Sequence, residues 1–128
     1  MSQYTLDLAL LETLTQAYGL PGREAGVAAA IQAALPGGKW QISRDPLGNL
    51  CAHRPGKGPH LMLMAHMDEV GLIVRRITRE GFLKVERMGG MNVMALPGSP
   101  VRLWTRGGPM PAVMGILPFH LDRKEFYE

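Results

Sequence analysis

His66 and Asp68 are the residues of this 128-residue chain whose types and spacing best suit chemistry. They stand in the string Ala65-His66-Met67-Asp68-Glu69-Val70-Gly71, directly after a short, nearly all-apolar run. Residues two apart in extended backbone face the same side, so the spacing predicts that imidazole and carboxylate share one face. A neutral imidazole is a good ligand for zinc or cobalt. A neighbouring carboxylate can hold the ring in one tautomer, or can bind the ion through its own oxygen. The same spacing also fits a surface histidine hydrogen-bonded to a turn carboxylate, and the residues by themselves leave both readings open.

The elements that must place this pair are legible in the patterning. Residues 60–65 are short, apolar and without alternation, which predicts a strand covered on both faces in the middle of an α/β sheet. Ligands of such sheets bind just beyond the carboxyl ends of the strands, where His66 falls. Upstream, residues 5–18 carry Leu6, Leu10, Leu14 and Ala17 at helical spacing, with Leu11 beside them. Gly19 suits a left-handed stop, and Pro21 reinforces the break. A second helix is predicted over 23–35, burying Val27, Ile31, Ala34 and Leu35 and ending at Pro36-Gly37-Gly38. Trp40 and Ile42 begin a strand that turns through Asp45-Pro46-Leu47-Gly48-Asn49 and returns over residues 50–52 as a hairpin.

After residue 70 the chain reads as β-rich. Strands are predicted over 70–77, 82–87, 93–96, 101–104 and 112–117, separated by Gly and Pro punctuation, which suggests a small barrel or sandwich. The expected architecture is therefore α/β: residues 1–69 open a catalytic domain, and residues 70–128 form a small β-rich, barrel-like insertion. The charged tail, 122–128, shows no stop signal, from which a chain cut in mid-course is expected.

Composition narrows the classes. Sixteen glycines and ten prolines imply many turns, and 46% hydrophobic against 20% charged residues is ordinary for a globular domain rather than a disordered one. A net charge of +3, spread along the chain, gives little reason to expect a nucleic-acid partner. One cysteine, Cys51, excludes an internal disulfide and fits a reducing, cytoplasmic setting. No apolar run is long enough to span a bilayer, so no membrane partner is expected. Among the other polar candidates, Glu69 alternates with Asp68 and reads as structural. His53 and His60 flank a basic Pro/Gly loop and read as solvated, and Cys51 reads as a small buried strand residue. Met62, Met64 and Met67 read as packing rather than soft-metal ligands. Arg75, Arg76 and Arg79 read as a solvated edge.

A longer string sharpens the reading. Leu47-Gly48-Asn49-Leu50, a loop, and then Leu61-Met62-Leu63-Met64-Ala65-His66-Met67-Asp68-Glu69-Val70-Gly71-Leu72-Ile73-Val74 resemble the glutamyl and deblocking metallo-aminopeptidases, a family that assembles as tetrahedral dodecamers and some of whose members carry the name endoglucanase M. Tyr18-Gly19-Leu20-Pro21-Gly22, Glu24, Gly89-Gly90, Pro97-Gly98-Ser99-Pro100-Val101 and Gly115-Ile116-Leu117-Pro118-Phe119-His120-Leu121 follow in the family's order, so the likeness covers nearly the whole chain.

The resemblance implies a two-metal hydrolase of peptides with a free amino terminus. His66 would bind one of two divalent ions, zinc or cobalt, and Asp68, the candidate catalytic carboxylate, would orient it. The two ions would polarise the scissile carbonyl and activate a water, with a glutamate as general base. The family's bridging aspartate, glutamate pair, further acidic ligand and second histidine match nothing here. The later acids Glu69, Glu80, Glu86, Asp122, Glu125 and Glu128 stand in other strings. An amino-terminal portion inactive by itself is therefore expected. No catalytic role passes to His120. The resemblance also implies homo-oligomers, with the β-rich insertion helping subunits associate. The alternative is a non-catalytic β-rich assembly module that would bind a partner without metal. A nucleic-acid binder rests on the basic pI alone.

Overall fold

The computed structural model describes residues 5–115. It divides into two compact units, Met1–Gly90 and Met91–Glu128.

The first unit opens with α1 (Leu8–Gln16), capped by Asp7, whose Oδ1 accepts from the Leu10 amide at 2.9 Å. Helix α2 (Ala25–Ala34) follows and packs on α1. Ala-rich, with Val27 and Ala28 inward, α2 supplies the buried apolar side chains among the described residues. Of the other positions expected inside, Ile31 and Leu35 are half-buried and Ala34 is exposed.

Strands β1 (Gln41–Arg44) and β2 (Leu50–His53) then form an antiparallel hairpin, with Ile42 opposite Ala52. Its turn is held by one carboxylate. Asp45 Oδ1 accepts from the amides of Leu47 and Asn49, both at 2.9 Å, and Oδ2 accepts from Asn49 Nδ2 at 2.7 Å. Gly48 completes the turn at φ +92°, a conformation that would strain any side chain. Those bonds, the one from the Asn49 side chain first, hold the Asp45 carboxyl below its ordinary pKa.

Strands β3 (Gly71–Ile77) and β4 (Leu83–Met88) form a second antiparallel hairpin, irregular between Val74 and Arg76. Arg75 Nε lies 3.2 Å from Glu86 Oε2 across it, so that part of the expected basic edge is ion-paired.

In the second unit, a 3₁₀ turn (Val93–Ala95) precedes β5 (Pro100–Thr105) and β6 (Gly108–Val113), a third antiparallel hairpin.

Several expectations need correction. Residues 93–96 are not a strand: Asn92 Oδ1 accepts from the Met94 amide at 3.1 Å and caps a 3₁₀ turn instead. The last strand begins at Gly108, not at 112, because Arg106 and Gly107 alone make the turn. Pro109 and Pro111, two apart, fall on positions of one class and so cost the ladder no donor where it needs one. Gly19 is not left-handed, since positive φ among the glycines falls at Gly22, Gly48, Gly58, Gly81, Gly89, Gly98 and Gly108. Cys51 is exposed rather than buried.

The largest correction concerns residues 60–65, which form no strand: no ladder bonds them, and Leu61, Met62, Leu63 and Met64 are 85, 76, 86 and 83% exposed. A hairpin strand finds its partner through a local turn, whereas a strand of a parallel sheet needs partners from distant chain. The described residues hold helices and three two-stranded antiparallel sheets; no barrel closes among them. The end of the string starting at Gly115, with His120, and the charged tail lie outside the described residues.

Candidate metal-ligand site

The segment bearing His66 and Asp68 runs between the unpaired apolar stretch and the start of β3. Four contacts locate it. The Glu69 amide donates to the Gly19 carbonyl at 2.7 Å. A Cβ built at Gly19 would stand 2.9 Å from the Met67 carbonyl oxygen and 2.6 Å from Val27 Cγ2, so the two backbones meet where only glycine fits. At the other end, Gly71 accommodates the Leu20 side chain, and a Cβ at Gly89 would lie 2.9 Å from Val70 Cγ1. The segment is therefore fixed by backbone approach to the α1–α2 connection and not by a sheet.

Within it, His66 Nδ1 lies 2.9 Å from the Asp68 carbonyl oxygen and 3.1 Å from Asp68 Oδ1. Both partners are acceptors, the carboxylate when ionised, so Nδ1 carries the proton and the lone pair sits on Nε2. The ring is 84% exposed and the Asp68 side chain 47%, which leaves Nε2 facing solvent. This arrangement, an imidazole whose far nitrogen is tied to a carboxylate, is the one found behind metal-bound histidines.

A divalent ion suits the pair only as part of a site. His66 offers one nitrogen, and among the described residues no group of three His, Cys, Asp or Glu side chains converges. Glu69 is exposed and takes part through its amide. His53 and His60 face each other, ring centroids 6.4 Å apart, with His53 Nδ1 3.2 Å from Gln41 Oε1, and are not joined to His66. No helix among the described residues is long and apolar enough to cross a membrane.

What sequence reasoning missed is Gly19, Leu20 and Gly71. The string Tyr18-Gly19-Leu20-Pro21-Gly22 signals a break in the helix, and nothing local in it announces a contact with a segment some fifty residues later.

Residues 48–127 match the sequence model of the M42 glutamyl aminopeptidases, and the chain belongs to that family. It is 33% identical over 120 residues to the lysyl aminopeptidase of Pyrococcus furiosus, a match covering 93% of this chain and 35% of that protein. It is 34% identical over 117 residues to the glutamyl aminopeptidase of Lactococcus lactis, covering 88% and 33%. Among solved structures, it superposes on the TET1 peptidase of Pyrococcus horikoshii with a TM-score of 0.76 at 30% identity, covering 92% of this chain and 36% of that one. That peptidase can assemble into a tetrahedron or a large octahedral shell. The chain thus spans about a third of the length of the relatives it matches.

Proposed function

We propose that this chain is the amino-terminal part of a metal-dependent aminopeptidase, with His66 Nε2 as one ligand of a dinuclear zinc or cobalt centre and Asp68 as the carboxylate that fixes its tautomer. The observation that carries the reading is the His66–Asp68 contact, with Nδ1 set against two acceptor oxygens of Asp68 and the ring exposed, in a chain of the M42 family. When bound, the ions of such a centre polarise a carbonyl and lower the pKa of water. His66 holds position, and Asp68 keeps the Nδ1 proton in place so that the ring cannot turn its N–H toward the ion. The remaining ligands and the general base come from polypeptide outside these residues. By itself this segment turns over no peptide.

Residues 1–69 are then the opening of the catalytic domain, and residues 70–128 belong to the β-rich, barrel-forming insertion that brings subunits together. The exposed run over 61–64 supports the first of these assignments, because its apolar side chains need a sheet around them. The whole enzyme acts in the cytoplasm as a homo-oligomer on the free amino termini of peptides. The exposed apolar run over 61–64 also favours a second reading, a non-catalytic assembly module.

One experiment separates them. The chain is continued with the carboxyl two-thirds of the lysyl aminopeptidase it matches and assayed on amino-acid p-nitroanilides with cobalt. Turnover that His66→Ala lowers by about a hundredfold is expected. Equal turnover by the variant contradicts the role of His66, and partner binding without metal or turnover favours the module.

A further inference from the structure

We infer that Gly19 is a positioning residue for the His66–Asp68 pair: its bare backbone latches residues 66–69 against α2 and so sets the geometry of the imidazole. In its functional consequence the inference rests on the reading of His66 as a metal ligand.

No ladder supports the segment among the described residues, so its path depends on the few contacts it makes elsewhere. Gly19 provides both an attraction and a limit. Its carbonyl accepts from the Glu69 amide at 2.7 Å, and the space above its Cα is already taken by the Met67 carbonyl and Val27. Gly19 lacks the left-handed φ that would require glycine for conformational reasons, so closeness alone demands it.

The latch is itself anchored. The Arg23 amide donates to the Leu20 carbonyl at 2.7 Å, the Gly22 amide to Glu24 Oε1 at 2.7 Å, and Val27 is buried under the crossing. Met67 lies between His66 and Asp68, and His66 Nδ1 reads both the backbone and the side chain of Asp68. Any outward movement of the Met67 carbonyl is therefore a movement within the pair. A methyl group at position 19 pushes on that carbonyl directly.

The test uses the full chain and Gly19→Ala, with Gly37→Ala, where a Cβ meets nothing, as control. Three readouts are taken at constant circular dichroism: exchange of the Glu69 amide, the ¹⁵N signature of the His66 ring tautomer, and cobalt affinity by calorimetry. Gly19→Ala is expected to speed Glu69 exchange at least about tenfold, to mix the ring tautomers, and to weaken cobalt binding by about 10–100-fold, the usual effect of disturbing a ligand's support. Gly37→Ala leaves all three as they are.

The double variant Gly19→Ala, Val27→Ala removes the clash with α2 and keeps the clash with Met67. The readouts are expected to stay perturbed. Their return to wild-type values overturns the inference, as does an unchanged tautomer and exchange rate in Gly19→Ala. Should the variants fail to fold, the wild-type chain decides: a through-hydrogen-bond coupling from the Glu69 amide nitrogen to the Gly19 carbonyl carbon supports the latch, and its absence with coil-like exchange overturns it. If cobalt binds equally to wild type and His66→Ala, the metal reading fails, while exchange and tautomer still decide the role of Gly19.

Discussion

The hairpin Gln41–His53 and the segment 60–70 lie a few residues apart and are held in opposite ways. The hairpin carries its partners with it: Asp45 satisfies three donors of its own turn, Gly48 supplies the positive φ, and the two strands bond each other. The segment 60–70 carries the proposed metal ligand and almost none of its own support. Its apolar half is bare, and its polar half is held by Gly19, Leu20 and Gly89. Local structure in this chain is self-sufficient, and the site is not. A site of the proposed kind stays incomplete, its histidine held only by backbone contacts, until a sheet and further ligands close around it.

The widest gap between the two regions should be in hydrogen exchange. Amides of residues 61–64 are expected to exchange near coil rates in this chain, and to slow on the order of 10³-fold once the carboxyl two-thirds of a relative is joined to it, as core strands do. Amides of β2 should be protected in both forms. Equal protection of the two regions in the isolated chain would break the contrast.

Next in size, Gly48→Val should destabilise the hairpin by about 1–2 kcal/mol, because a side chain is forced into the left-handed region. His66 should keep its tautomer. Urea unfolding with ring ¹⁵N spectra reads both quantities.

Acid sharpens the same contrast more gently. The folded Asp45 pKa lies below its unfolded value, so the turn gains stability above the ordinary carboxylate range and loses it as pH falls through the folded pKa. The Asn49 amide shift, followed from neutral pH downward, should report turn opening only below the ordinary carboxylate range. The Asp45→Asn chain should lack that transition.

The smallest effect is expected where sequence patterning suggests the largest. Leu63→Lys should change the stability of this chain by less than about 0.5 kcal/mol, since the side chain is 86% exposed. In the joined, sheet-forming protein the same change should abolish folding or activity.

These differences also explain what could be read from the residues. Helices, the Asp45 turn and two of the hairpins are written in local signals: an aspartate cap, a glycine turn, a change of period. The pair His66–Asp68 was visible because its spacing is local too. The sheet partners of residues 60–65 were inferred from apolarity, which records that a strand is to be covered without recording what covers it. Residues 93–96 are apolar throughout, too short a window for periodicity to tell strand from helix, and the Asn92 cap decides for a 3₁₀ turn. The approach of Gly19 to Met67 is a contact across some fifty residues, and a glycine that stops a helix looks the same as one that admits a neighbour.

In the proposed site His66, steadied by Asp68, offers Nε2 to a divalent ion. Calorimetric titration of cobalt into this chain, beside His66→Ala and Asp68→Ala, tests it most directly. Weak binding is expected for the wild type, none for His66→Ala, and about tenfold weaker binding for Asp68→Ala. Identical isotherms for wild type and His66→Ala would contradict it.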